Sequence, residues 1–173
     1  QIHNTKIRYG KGNMPWAKKE TPLVLWNVDA LKGDPSEREL IITEGEFDAI
    51  ACIQAGFMDA VSVPDGAPAT ANDKGEAKYK YLFKGEKLRP ELDKFSRFIL
   101  AVDGDEKGLY LRDALAVRLG EERCFWIEWP AGCKDANDVL RDQGADRLAE
   151  LLMNPRRMFV DERSSPQRER STR

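Results

Sequence analysis

Four short apolar runs, each followed by acids, constrain this chain more than any other feature. They are LIIT (residues 40–43), AVSV (60–63), RFILAV (97–102) and the more mixed CFWIEW (124–129). Their apolar residues are mostly continuous rather than alternating. That is the mark of strands buried on both faces, and hence of a mostly parallel sheet covered by helices. Between them lie segments of helical period. EFDAIACIQAG (46–56) carries Phe47, Ile50, Ala51 and Gln54 at helical spacing and stops at Gly56. KGLYLRDALAVRLG (107–120) places Leu111, Leu115 and Leu119 on one face. KDANDVLRDQG (134–144) and ADRLAELLM (145–153) read as two closing helices, and PLVLWNVDAL (22–31) reads as a short strand and its exit. The expected fold is therefore α/β, with a four-stranded, mostly parallel sheet.

In such sheets, ligands bind outside the carboxyl ends of the strands. Polar functional residues should then cluster just after residues 43, 63, 102 and 129, and they do. Glu44, Glu46 and Asp48 follow the first run, and Asp65 follows the second. Asp103, Asp105 and Glu106 follow the third, while Lys134, Asp135, Asn137 and Asp138 come after the fourth. Asp103 and Asp105 flank Gly104. In extended chain, side chains at i and i+2 point to the same side, ~6–7 Å apart, which leaves room for a cation. Carboxylates packed this closely repel one another until a cation relieves them. With a single histidine, His3, and three cysteines without CxxC spacing, any metal must be held by carboxylates, which favours Mg²⁺. Such a site suits phosphoryl chemistry.

Each acid also has a plain structural use. Asp105 and Asp135 can cap the helices that follow them, and Glu44 can favour a helix dipole. It is the shared rim that favours a metal. An EF-hand is excluded, because Lys107 and Ala114 stand where ligands belong, and no phosphate-cradling glycine loop is present.

The remaining features bound the setting. A net charge of −2 gives no global attraction to nucleic acid, so any polyanion contact needs local basic patches. One such patch is the polar insertion 65–95, where Lys78, Lys80 and Lys84 are interleaved with Tyr79, Tyr81 and Phe83. It reads either as a grip on single-stranded nucleic acid or as a solvated flap. Residues 1–37 begin polar and basic, and 156–173 read as a flexible tail. Odd cysteine usage points to a reducing compartment. No apolar run approaches the ~18 residues of a membrane span. The chain opens on Gln1 and reads as a piece of something longer.

LIITEGEFDAIA, followed by FILAVDGDEKG, resembles the TOPRIM domain of primases, topoisomerases and some nucleases. SVPDGAP and CKDANDVL narrow the resemblance to phage-type primase–helicases and their mitochondrial relatives. Where bacterial primases carry Asp-Pro-Asp, this chain has Asp135-Ala136-Asn137, with an amide in place of the second carboxylate.

The resemblance implies a Rossmann-like TOPRIM domain over 38–155, preceded by the end of a basic primase subdomain. It implies RNA primer synthesis from NTPs on a single-stranded DNA template, with Mg²⁺ or Mn²⁺. Glu44, Asp103 and Asp105 would be catalytic and metal-holding, with Asp48 and Asp135 as supporting metal acids. Lys134 and Asn137 would bind nucleotide, and Lys78, Lys80 and Lys84 would bind DNA. The implied partners are a helicase domain or replisome proteins, with no membrane. The setting would be the cytoplasm of a bacterial or phage-infected cell, or a mitochondrion. A TOPRIM nuclease or topoisomerase fragment, or a catalytically silent module of a replicative helicase, are the alternatives.

Overall fold

The computed structural model describes residues 24–32, 38–64, 66–67 and 88–158. Five strands form one sheet: β1 (Glu39–Thr43), β2 (Ala60–Ser62), β3 (Arg97–Ala101), β4 (Cys124–Trp126) and β5 (Arg156–Arg157). Their spatial order is β2-β1-β3-β4-β5. The first four are parallel, and β5 runs antiparallel along the β4 edge. Among the described residues, five α-helices accompany them: α1 (Glu46–Gln54), α2 (Leu88–Asp93), α3 (Glu106–Leu119), α4 (Ala136–Gln143) and α5 (Ala145–Met153).

The apolar runs are continuous because each feeds two cores. Leu40 and Ile42 of β1, with Phe98 and Leu100 of β3, join Leu111, Leu115 and Leu119 of α3 on one face. Ile41, Ile99 and Ala101 point the other way, to Ala49 and Cys52 of α1, Val139 of α4, and Leu148 and Leu152 of α5. Alternation along each strand sends neighbours to opposite sides. Both sides are apolar because helices cover both. Each large side chain buried this way contributes roughly 1.5–3 kcal/mol relative to exposure.

Four details depart from the sequence reading. The strand expected over 22–31 is absent from its described part. Only Trp26 bridges to Ser62, and Val28–Leu31 is a short 3-10 helix whose Leu31 enters the core. The extended run ends at Asn27, which takes a left-handed conformation (φ 58°) and donates its side-chain amide to the Ala60 carbonyl at 2.9 Å. In α1 the buried stripe is Asp48, Ala49, Ala51 and Cys52, while Phe47 and Ile50 are 58% and 42% exposed. Small residues let α1 lie close to the sheet and to α4, so its larger side chains turn outward.

β4 stops at Trp126, because the chain beyond it curls over β3. There the Trp129 indole N–H donates to the Val102 carbonyl at 2.7 Å. Lastly, the four expected strands gain a fifth, in a segment read as the start of a tail. Arg156 and Arg157 pair with Trp126 and Phe125, and Met158 N–H donates to the Cys124 carbonyl at 3.2 Å. Lys78, Lys80 and Lys84 lie outside the described residues. Among the described residues, no helix is long and apolar enough to cross a membrane.

Candidate active site

The strand order decides where a site can form. From β1 the chain crosses through α1 to β2 on one side, while β3 lies on the other side of β1. The crevice at the carboxyl ends of β1 and β3 is the topological switch point, where open α/β sheets bind ligands. Glu44 leaves β1 there and Asp103 leaves β3 just past its end.

Glu44 is half-buried. Its Oε1 accepts the Ala67 N–H at 3.1 Å, from the turn after β2. Its Oε2 is buried and has no hydrogen-bond partner among the described residues. Burial raises its pKa, and the charges of Asp103 and Asp105 raise it further. Asp103 is also raised, chiefly by burial, and that outweighs the hydrogen bond from Lys134. The Lys134 ammonium lies 2.9 Å from Asp103 Oδ2 and 3.3 Å from Asp135 Oδ2. Its own pKa is pushed up, first of all by the Asp103 hydrogen bond.

Asp105 has a second task. Its Oδ1 accepts the Gly108 N–H at 2.9 Å and caps α3. Gly108 must be glycine, since a Cβ there would stand 2.0 Å from the Asp103 carbonyl oxygen. The first turn of α3 therefore rests directly on the backbone of the residue it helps to present. The Gly104 N–H donates to the Lys134 carbonyl at 2.7 Å, which ties the Asp103–Asp105 turn to the chain entering α4.

Asp48 and Asp135 meet at the N-terminus of α4. Asp135 caps that helix, with Oδ1 accepting the Asp138 N–H at 2.7 Å. Asp48, only 7% exposed, accepts the Asn137 N–H from α1 at 3.2 Å. Its pKa is raised to about 7, by burial first and then by Asp135. Asn137 is exposed and meets Asp48 through its backbone. Glu44, Asp103 and Asp105 thus stand at one crevice, with Asp135 joined to it through Lys134, while Asp48 sits a layer deeper. The sequence reading missed two supports. The Ala67 N–H was signalled only by the Asp65-Gly66 turn residues. The Lys134 bridge was signalled only by a lysine preceding Asp135.

The donor chemistry fits a hard divalent cation. Carboxylates are crowded, the pKa values of Glu44, Asp48 and Asp103 are raised by burial and by neighbouring charges, one buried oxygen lacks a partner among the described residues, and an ammonium already sits between two of the acids. Glu44, Asp103 and Asp105 would hold it. Among the described residues, no three His, Cys, Asp or Glu side chains close on one point as they stand.

A Rossmann-like sheet with an acidic crevice at the β1/β3 switch point defines the class of the fold. The chain belongs to the Toprim-like family, whose model matches residues 41–140. Two relatives are from Arabidopsis thaliana. A primase homolog protein is 39% identical over 148 residues, 79% of this chain and 42% of the relative. A Twinkle homolog protein, chloroplastic/mitochondrial, is 37% identical over 152 residues, 82% of this chain and 21% of the relative. The chain thus spans less than half the length of either. The fold is shared with the RNA polymerase domain of Mycobacterium tuberculosis primase DnaG, at TM-score 0.54 and 21% identity over 87% of this chain and 48% of that one. It is also shared with a chain in a bacteriophage T7 complex of the lagging-strand DNA polymerase with primase domains. There the TM-score is 0.50 and the identity 22%, over 69% of this chain and 55% of that one.

Proposed function

We propose that this chain is the catalytic core of a phage-type DNA primase, joining NTPs into short RNA on a single-stranded DNA template. The observation that carries the reading is the placement of Glu44 and Asp103 on neighbouring strand exits at the switch point, with a buried Glu44 oxygen left without a partner among the described residues. The name of the primase homolog relative gives the reaction its class. Glu44, Asp103 and Asp105 would hold Mg²⁺ or Mn²⁺. Such a metal, when bound, would offset charge on the transferring phosphate and favour ionisation of the attacking hydroxyl.

The protein's own groups supply the rest. The pKa of Glu44, raised by burial and by the neighbouring carboxylates, makes it a stronger proton acceptor than an ordinary carboxylate. Lys134, with its side chain 60% exposed, reaches over the crevice as a phosphate contact. Asn137 stands beside it on the first turn of α4 as a further nucleotide contact. Asp48 and Asp135 hold the N-terminus of α4, and with it Lys134, against α1. Their part toward metal is support at one remove. Template grip falls to Lys78, Lys80 and Lys84, and a helicase domain or other replisome proteins are the expected partners.

The test incubates the protein with Mg²⁺, NTPs and single-stranded template. Short RNA is the expected product, and Asp103→Ala abolishes it while the far-UV circular dichroism stays unchanged. Nicked DNA in place of RNA overturns the reading in favour of a nuclease. Binding of template with neither product leaves a DNA-gripping module.

A further inference from the structure

The Lys134 side chain is placed unlike the carboxylates around it. Its ammonium bridges Asp103 and Asp135, whose side chains are only 14% and 12% exposed, yet the lysine side chain itself is 60% exposed. Its backbone is fixed. The carbonyl accepts the Gly104 N–H at 2.7 Å, and the amide N–H donates to Asp138 Oδ2 at 3.2 Å. A rooted backbone thus carries a solvent-facing arm whose charged tip lies between two nearly buried acids. Five carboxylates, those of Glu44, Asp48, Asp103, Asp105 and Asp135, gather at or near this crevice, and Lys134 is the cation that bridges two of them.

We propose that Lys134 is a displaceable internal counter-ion. It competes with the divalent cation for Asp103, and a nucleotide polyphosphate lifts it away, so that metal and nucleotide bind cooperatively through this one side chain. The inference rests on the metal-holding reading of Asp103 given above.

Three physical points support it. An oxygen that accepts an ammonium hydrogen bond at 2.9 Å cannot offer the same lone pair to a metal. Withdrawing the arm without replacement would leave Asp103 and Asp135, both nearly buried, without their cation, but an incoming divalent cation supplies that charge, so one cation is exchanged for another while the lysine side chain returns to water. The released ammonium stays beside the crevice, since its backbone is tied to the turn between Asp103 and Asp105. A polyphosphate arriving with the metal offers it new acceptors. When the competent state is a minority of the free protein, apparent affinity falls by that fraction, and a second ligand that removes the competitor restores it.

The experiment titrates Mn²⁺ into this chain, followed by electron paramagnetic resonance of the free ion, with and without α,β-methylene ATP. Lys134→Ala is compared with Lys107→Ala, which removes the same charge from the first turn of α3. Lys134→Ala is expected to tighten Mn²⁺ binding without nucleotide by about three- to tenfold beyond Lys107→Ala. The tightening that the analogue produces in the unaltered chain is expected to shrink toward one. If Lys134→Ala and Lys107→Ala change Mn²⁺ affinity equally, the counter-ion role is overturned. Weaker analogue binding alone would then leave Lys134 as a plain phosphate contact. Asp103→Asn separates the two readings. If it binds Mn²⁺ as well as the unaltered chain does, the metal site itself is misplaced, and the counter-ion proposal falls with it.

Discussion

Two strand exits in this chain carry the same pattern of acid, glycine, acid. Glu44-Gly45-Glu46 follows β1, and Asp103-Gly104-Asp105 follows β3. The chain completes them differently. After β3, Asp105 caps α3 from within its own sequence, and Asp103 has an ammonium partner. After β1, Gly45 starts α1 without a side-chain cap, and Glu44 keeps one buried oxygen unpartnered among the described residues. The third acid of that region, Asp48, leaves the surface and holds α4 instead. Local sequence thus caps the helix at the β3 exit, while Asp103 and Glu44 both take partners from distant chain, and the β1 exit leaves a demand that a ligand can meet.

The largest expected effect tests how rigid the β3 exit is. Gly108→Ala forces a methyl group against the Asp103 carbonyl, where only backbone can give way. It should destabilise the fold by about 2–4 kcal/mol in urea unfolding. Gly45→Ala meets only the Asp48 carboxylate, 2.8 Å away, and a side chain can move. About 1 kcal/mol is expected there. Equal losses would erase the contrast between the two exits.

The next effect is pH dependence from Asp48. Its carboxyl, ordinarily near 3.8, is held at about 7 by burial and by Asp135. Between these values the folded chain keeps a proton that the unfolded chain releases. The stability associated with that proton is therefore full below about pH 4 and is lost as the pH rises through about 7. Asp48→Asn cannot titrate. In metal-free buffer its stability relative to the unaltered chain should improve between pH 5 and pH 8, by an amount of the order of 1–3 kcal/mol. Parallel stability–pH curves would show that Asp48 is ionised throughout.

The smallest effect separates the two duties of Asp105. Asp105→Ala removes the α3 cap and should cost about 1 kcal/mol, whereas Asp105→Asn keeps an acceptor for the Gly108 N–H and should cost only a few tenths. If both lose Mn²⁺ binding while only the first melts early, cap and ligand are distinct roles of one carboxylate.

Much of this was legible in the sequence, for reasons particular residues make plain. Leu40, Ile42, Phe98 and Leu100 announce strands because a strand covered on both sides has no polar face to reveal. Leu111, Leu115 and Leu119 announce the face of α3 because that helix packs through large side chains. Asp105 and Asp135 announce their caps because capping is settled within three residues. The helix α1 is legible but its buried face is not, because periodicity weighs size and hydropathy. Its packing face was chosen for smallness, so Phe47 and Ile50 went outward and Asp48 inward. β5 was missed because two arginines in sequence carry no strand signal, and only the free edge of β4 makes them one.

The sequence by itself determined the alternation of strands and helices, the position of acids at each strand exit, and the caps that start α3 and α4. Only the tertiary structure decided which exits share a crevice. That depends on β3 pairing with the far side of β1 from β2, a long-range choice that local pattern does not encode. It also decided that Glu44 buries an oxygen with no partner among the described residues and that Lys134 reaches across to Asp103. Burial and through-space charge arise only once segments distant in sequence are packed together.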